Sequence, residues 1–133
     1  MGAKSKGSKS ERELTHMFND TNSWAAVRIA GSGLTSDPNP DVLAGNGKRH
    51  IAVECKSLKG EYQYLYEDDI KQLKYFSLKF GAEPWFGIRF NNKGWFFLKF
   101  EDLVLTKNNK SYAISLLLAK EKGLSFEQLI NLP

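Results

Sequence analysis

The chain has 133 residues, a formal net charge of +4 and a pI near 9.1, with 41% hydrophobic and 26% charged residues. That is one domain, large enough for a real core, and no apolar run approaches the ~20 residues needed to cross a bilayer. The first residues are polar, so no secretory signal is expected, and a single cysteine, Cys55, excludes an internal disulfide and fits a reducing cytoplasm. The basic balance suits a polyanionic partner.

Residues 1–9 carry Lys4, Lys6 and Lys9 among glycine and serine, which reads as a flexible basic arm, either a solvated tail or a phosphate-neutralising one. A helix is expected to start near Ser8 or Ser10, because Leu14, Met17 and Phe18 recur at helical spacing and polar Asn19-Asp20-Thr21-Asn22 ends the pattern. Glu11 falls on the apolar stripe of that helix. Ser8-x-x-Glu11 matches a capping box, which the pattern alone favours; the other reading sends the carboxylate into a cleft as a metal or water ligand. Trp24 to Ala30 reads as a buried strand. It runs into Gly31-Ser32-Gly33, where glycines on both sides of a hydroxyl allow close backbone approach to a ligand. A plain surface loop is the usual explanation of such composition, and no Walker-type lysine follows at the spacing a nucleotide-binding P-loop needs.

Asp41 to Ala44 and His50 to Lys56 form two strand-like runs around Gly45-Asn46-Gly47-Lys48, a hairpin signal. Period-two alternation puts Ile51, Val53 and Cys55 on one face and Ala52, Glu54 and Lys56 on the other. The hairpin brings Asp41 alongside Glu54 and Lys56. Charges within an apolar strand are paired, bind metal or do chemistry. Leu58 to Tyr64 reads as a connecting stretch. A second helix is expected over 67–80, with Ile70, Leu73, Phe76, Leu78 and Phe80 as apolar positions and Gly81 as its stop. Two aromatic strands follow, Pro84 to Phe90 and Gly94 to Phe100. Their ring density exceeds what one sheet face buries, which leaves core packing or a subunit interface as explanations. Glu101 to Leu103 suggests a helical turn, Ser111 to Ile114 a strand, and Ser125-x-x-Gln128 a final capped helix. Periodicity leaves Leu116-Leu117-Leu118 undecided.

Mg²⁺ prefers oxygen ligands and takes one or two carboxylates plus water and phosphate oxygens. Asp41 and Glu54 supply such a pair, with the backbone carbonyl of Cys55 as a further ligand. Lys56 stands two residues from Glu54 on the same face, placed to orient an attacking water or stabilise negative charge developing on phosphorus. A base role for Lys56 requires a strongly lowered pKa. The bland reading is a surface hairpin with a cross-strand ion pair. His16 and His50 are isolated and read as ordinary polar residues.

These elements together resemble the archaeal Holliday-junction resolvases, within the restriction-endonuclease-like superfamily named for its PD…(D/E)xK motif. The residues that carry the likeness are Lys6-Gly7-Ser8 with Glu11-Arg12, Arg28 with Gly31-Ser32-Gly33, Pro40-Asp41, and Glu54-Cys55-Lys56-Ser57. The resemblance implies an α/β fold with a mixed central sheet flanked by helices, over a single endonuclease domain from residue 10 to residue 133. It implies Mg²⁺-dependent cleavage of four-way DNA junctions, with Mn²⁺ as a substitute. Its catalytic set is Glu11, Ser32, Asp41, Glu54 and Lys56, and its metal set is Glu11, Asp41, Glu54 and the Cys55 carbonyl. DNA contacts are expected from Lys4, Lys6, Lys9, Arg12, Arg28 and Ser32. The resemblance also implies a homodimer making paired symmetrical nicks, in the cytoplasm with the nucleoid, alongside recombination or replication proteins. The aromatic strands around Trp85 and Trp95, with the C-terminal segment, are the expected dimer surface. Two departures stand out. Leu34-Thr35-Ser36 is poorer in Lys and Arg than the family loop, and the family glutamine on the second helix aligns with Asp69, with Gln72 one turn later. The rival readings are a non-catalytic branched-DNA-binding module and a related nuclease acting on another DNA structure.

Overall fold

The computed structural model describes residues 3–31, 37–108 and 110–133. Ser32, and with it the expected phosphate contact, lies outside the described residues. The elements in order are α1 (Ala3–Asn19), β1 (Ala25–Arg28), β2 (Val42–Gly45), β3 (His50–Leu58), β4 (Tyr62–Tyr66), α2 (Glu67–Phe80), β5 (Glu83–Phe90), β6 (Gly94–Leu98), a 3₁₀ turn (Phe100–Asp102), β7 (Val104–Leu105), β8 (Ser111–Ser115), α3 (Leu116–Lys122) and α4 (Phe126–Ile130).

Five strands form the central sheet in the order β1-β2-β3-β5-β6. It is mixed: β3 and β5 run parallel, and the other neighbours are antiparallel. A parallel pair needs a long crossover, and here β4 and α2 provide it. The alternation along β3 sorts the core as expected. Val42, Ile51, Val53, Trp85, Trp95 and Phe97 pack under Leu14 and Phe18 of α1 and Leu129 of α4. Ala52, Phe86, Ile88 and Leu98 pack on the opposite face under Ile70 and Leu73 of α2 and Ala119 of α3. Gly87 fits the tight passage of β5 against the stacked Trp95 and Phe97 rings; a Cβ there would lie 3.0 Å from Val53 and 3.1 Å from Phe97, so these side chains would have to shift slightly.

Several expectations change. α1 begins at Ala3, so the segment expected as an arm is helical from that residue on. Alanine and lysine are good helix formers, and propagation from the packed Leu14–Phe18 turn carries through Gly7. β1 is shorter than expected and forms the sheet edge, with Ala25 and Val27 exposed. The stretch expected as a connection contains β4, which pairs with β8, and β8 with β7, in a second sheet. The aromatic strands are not a dimer surface. Trp85 is 2% exposed and Phe86, Phe97 and Leu98 are buried, because helices cover both faces of β5 and β6. α2 spans its expected range and stops at Gly81 in the left-handed conformation, φ 86°, but Leu78 and Phe80 face solvent.

Candidate active site

The β2–β3 turn sets the site. Asn46 Oδ1 accepts from the backbone N–H groups of Lys48 (2.9 Å) and Arg49 (2.6 Å), and Gly47 takes φ 93°. This fixes the register Val42↔Val53, and one step further Asp41 comes opposite Glu54. The Asp41 N–H donates to the Val53 carbonyl at 3.0 Å, and the Asp41 carbonyl accepts from Ile29 at 2.8 Å. The buried Asp41 carboxylate accepts from the Cys55 N–H at 2.8 Å. The Cys55 N–H thus leaves its strand toward Asp41, and the carbonyl of the same residue leaves on the same side. The Cys55 thiol packs with the α1-side core, and burial followed by the charges of Asp41, Glu11 and Glu54 pushes its pKa up, so it is inert as a nucleophile.

Glu54 lies on the other face, under α2. Burial, then the charge of Asp41, pushes its pKa up to about 8 despite the opposing pull of Lys56. Lys56 Nζ stands between two carboxylates, 3.7 Å from Glu54 Oε2 and 3.8 Å from Asp69 Oδ2. Both separations exceed hydrogen-bond length, so the ammonium is shared. Between the two acidic and amide candidates on α2, the geometry therefore selects Asp69; Gln72 is exposed.

Glu11 does not form the capping box, since Ser8 lies inside α1. Arg28 Nε donates to Glu11 Oε1 at 3.1 Å, and Arg28 Nη2 donates to Ser8 Oγ at 2.9 Å. Burial and then the Asp41 charge still raise the Glu11 pKa, which places this carboxylate within the electrostatic reach of the Asp41 site. Arg28 is thereby engaged with α1. Lys9 and Arg12 are exposed on α1, and the side chains of Lys4 and Lys6 lie outside the described part. His16 and His50 are exposed and stand apart from the site.

Among the described residues no three Asp, Glu, His or Cys side chains converge closely enough to hold an ion by themselves. The nearest acidic side chains, Asp41 and Glu54, are oxygen donors. Asp41 and Glu54 are opposed, desolvated and mutually repelling, an arrangement that a hard divalent cation relieves, so the residues fit such a metal.

Two ion-pair networks support this geometry and escape sequence reading. Arg49 makes a two-pronged contact with Glu83 (2.8 and 2.9 Å) and donates to the Leu129 carbonyl, while Trp85 Nε1 donates to Glu83. Glu13 accepts from Arg89 and Trp95, both at 2.6 Å, which fastens α1 to β5 and β6 two residues from Glu11. Trp85 and Glu83 are near neighbours, but the arginine contacts and the Trp95 contact join residues 34 to 82 positions apart, so no local pattern announces them.

Comparison with known proteins adds a second line of support. A model described as archaeal Holliday junction resolvase (Hjc) matches residues 2–133. The crossover junction endodeoxyribonuclease Hjc of Archaeoglobus fulgidus is 35% identical over 130 residues, covering 94% of this chain and 95% of that protein. The protein of the same name from Methanocaldococcus jannaschii is 34% identical over 109 residues, 82% of this chain and 75% of its own. The solved structure of Archaeoglobus fulgidus Hjc, a Holliday junction resolvase from an archaeal hyperthermophile, aligns with a TM-score of 0.83 at 33% identity, covering 92% of this chain and 96% of that one.

Proposed function

The chain belongs to the archaeal Holliday junction resolvase family, and from that premise we propose that the Asp41–Glu54–Lys56 site hydrolyses phosphodiesters at four-way DNA junctions with Mg²⁺, Mn²⁺ serving as a substitute. The protein is an endodeoxyribonuclease acting on crossover junctions. The observation that carries the site assignment is the pinned Asp41 carboxylate opposite Glu54, with Lys56 shared between Glu54 and Asp69.

Asp41, Glu54 and the Cys55 carbonyl would hold a divalent cation, which when bound would supply a more acidic water and offset phosphate charge. Asp41 is held by the Cys55 N–H and so presents its carboxylate without reorganisation. Lys56 orients the attacking water or offsets charge on the phosphorane, and Asp69 keeps the ammonium at the site. Glu11, held by Arg28, does not join Asp41 and Glu54 as a third direct ligand and acts on the site from the α1 side through its charge. Ser32 contacts the scissile phosphate, and Lys4, Lys6, Lys9 and Arg12 neutralise flanking phosphates. A resolvase of chromosomal junctions would act at the nucleoid, and no helix among the described residues is long and apolar enough to cross a membrane.

A homodimer sets two such sites against opposed strands, giving paired symmetrical nicks. Its surface is the outer face of α2 with the sheet edge. Leu78 is 82% exposed, Tyr75 and Phe80 are also exposed, and Phe80 lines an apolar groove with Ala25, Val27 and Leu43. A self-complementary apolar patch suits a two-fold interface. Leu78→Glu is expected to shift sedimentation from dimer to monomer; a variant that stays dimeric rejects this surface.

The functional test uses end-labelled four-way junction and matching duplex with Mg²⁺ or Ca²⁺. Symmetrical nicks in the junction alone are expected, lost by more than about 10²-fold in Asp41→Asn, while that variant binds the junction at least as well. Binding without cleavage under any divalent metal would favour the non-catalytic module. Equal cutting of duplex would make this a general nuclease.

A further inference from the structure

Strand β4 carries Tyr62, Tyr64 and Tyr66 at alternate positions on one face, 59%, 48% and 61% exposed. Leu65 between them is buried in the α2-side core and fixes that orientation. The β8 partners beneath the rings are small: Ser115 opposite Tyr62, Ala113 opposite Tyr64 and Ser111 opposite Tyr66. Cross-strand neighbours of that size give the rings nothing to lie against. β4 is an edge of its sheet. Among the described residues none of the three side chains has a hydrogen-bond, ion-pair or ring partner. The stripe extends ~13 Å along the strand. Its Tyr66 end is the N-cap of α2, and one helical turn further on Asp69 holds Lys56.

We propose that the Tyr62–Tyr64–Tyr66 face of β4 is a stacking platform for bases of the bound junction at the branch point, adjoining the cleavage site. The proposal rests on the junction-endonuclease reading and extends it to a base-contacting surface. Continuity selects DNA as the occupant, since a strand whose phosphate lies at Lys56 passes the Tyr66 end of the stripe. Charge selects bases over phosphates. Exposed Lys59, Lys110 and Lys120 border the stripe beside exposed Glu61 and Asp68, while Glu67 is paired with Lys71 at 3.0 Å, so only a small positive excess is left to hold a backbone. An exposed aromatic sheet face with little net charge recognises π-faces, and in an open four-way junction the innermost base pair of each arm has one face without a stacking neighbour.

The test measures junction and duplex affinity across a salt series for the full chain and for Tyr62→Ala, Tyr64→Ala, Tyr62→Phe and Tyr64→Phe, with 2-aminopurine at the branch point. Tyr66 is left intact because it begins α2. The expected result is that each alanine variant loses junction affinity by roughly 5- to 100-fold. The phenylalanine variants should retain it, the salt slope should stay unchanged, and quenching of the 2-aminopurine should be lost. Circular dichroism and sedimentation of the same variants control for folding and assembly. Unchanged junction affinity and fluorescence in folded alanine variants would overturn the proposal. So would dissociation of a dimer without loss of junction binding, which would make the stripe a self-association surface. A loss accompanied by a shallower salt slope would reassign it to phosphate contact. Wild-type junction cleavage in the same assay keeps the endonuclease reading separate from the fate of the stripe.

Discussion

Two acidic regions of this molecule are built in opposite ways. At the Glu83 and Glu13 networks each carboxylate meets a guanidinium and an indole N–H at hydrogen-bond distance, and the hydrogen bonds from Arg49 and Arg89 hold both pKa values below the ordinary range. At the Asp41 site, Glu11 and Glu54 are raised by burial and by their neighbour Asp41, and among the described residues Arg28, Arg12 and Lys56 do not offset this. The first arrangement is complete as folded and fastens elements together. The second is short of positive charge in a desolvated place, which destabilises the fold locally and creates affinity for a cation. The difference separates structural ion pairs from a site without reference to motif.

The largest expected effect comes from removing charge at the deficient cluster. Because the folded pKa of Glu54 is raised, the native state binds more protons than the unfolded chain between about pH 4.5 and 8, so its contribution to stability falls as pH rises through that window. Glu54→Gln is therefore expected to raise the Tm of the metal-free protein by several degrees at pH 8 and little at pH 5, while abolishing cleavage. Thermal melts at the two pH values check this; a lower Tm at pH 8 would show that Glu54 is already compensated.

Much of this site was legible in the sequence. Asn46-Gly47 and the period-two run from His50 fixed the hairpin, and with it the meeting of Asp41, Glu54 and Lys56, because a turn and a pleat are local. Ile70, Leu73 and Gly81 marked α2 for the same reason. What escaped depends on distant partners. Glu11 resembles a cap residue until Arg28, 17 positions away, is seen to hold it. β4 looks like a polar connection, since its only deeply buried side chain is Leu65 and its partner strand lies far along the chain. The aromatic residues of β5 and β6 looked excessive because the sequence does not reveal that helices cover both sheet faces.

A smaller effect is expected at the complete network. Glu83→Ala leaves Arg49 and the Trp85 N–H without their acceptor, at a cost of about 1–2 kcal/mol, reduced by the partial exposure of the carboxylate. Denaturant unfolding should register the loss, and junction cleavage per folded molecule should be unchanged. Cleavage that fell with stability intact would mean that this network also serves the site.

The central claim, that Asp41 and Glu54 hold a divalent cation, is tested most directly by calorimetric titration of Mg²⁺ or Mn²⁺ at pH 7 in buffers of different ionisation enthalpy. Since Glu54 titrates near pH 8 in the metal-free protein, binding should release about one proton per ion. It should release almost none at pH 9, and binding should disappear in Asp41→Asn. Ion binding at pH 7 with no proton release, or binding undiminished in Asp41→Asn, would contradict the account.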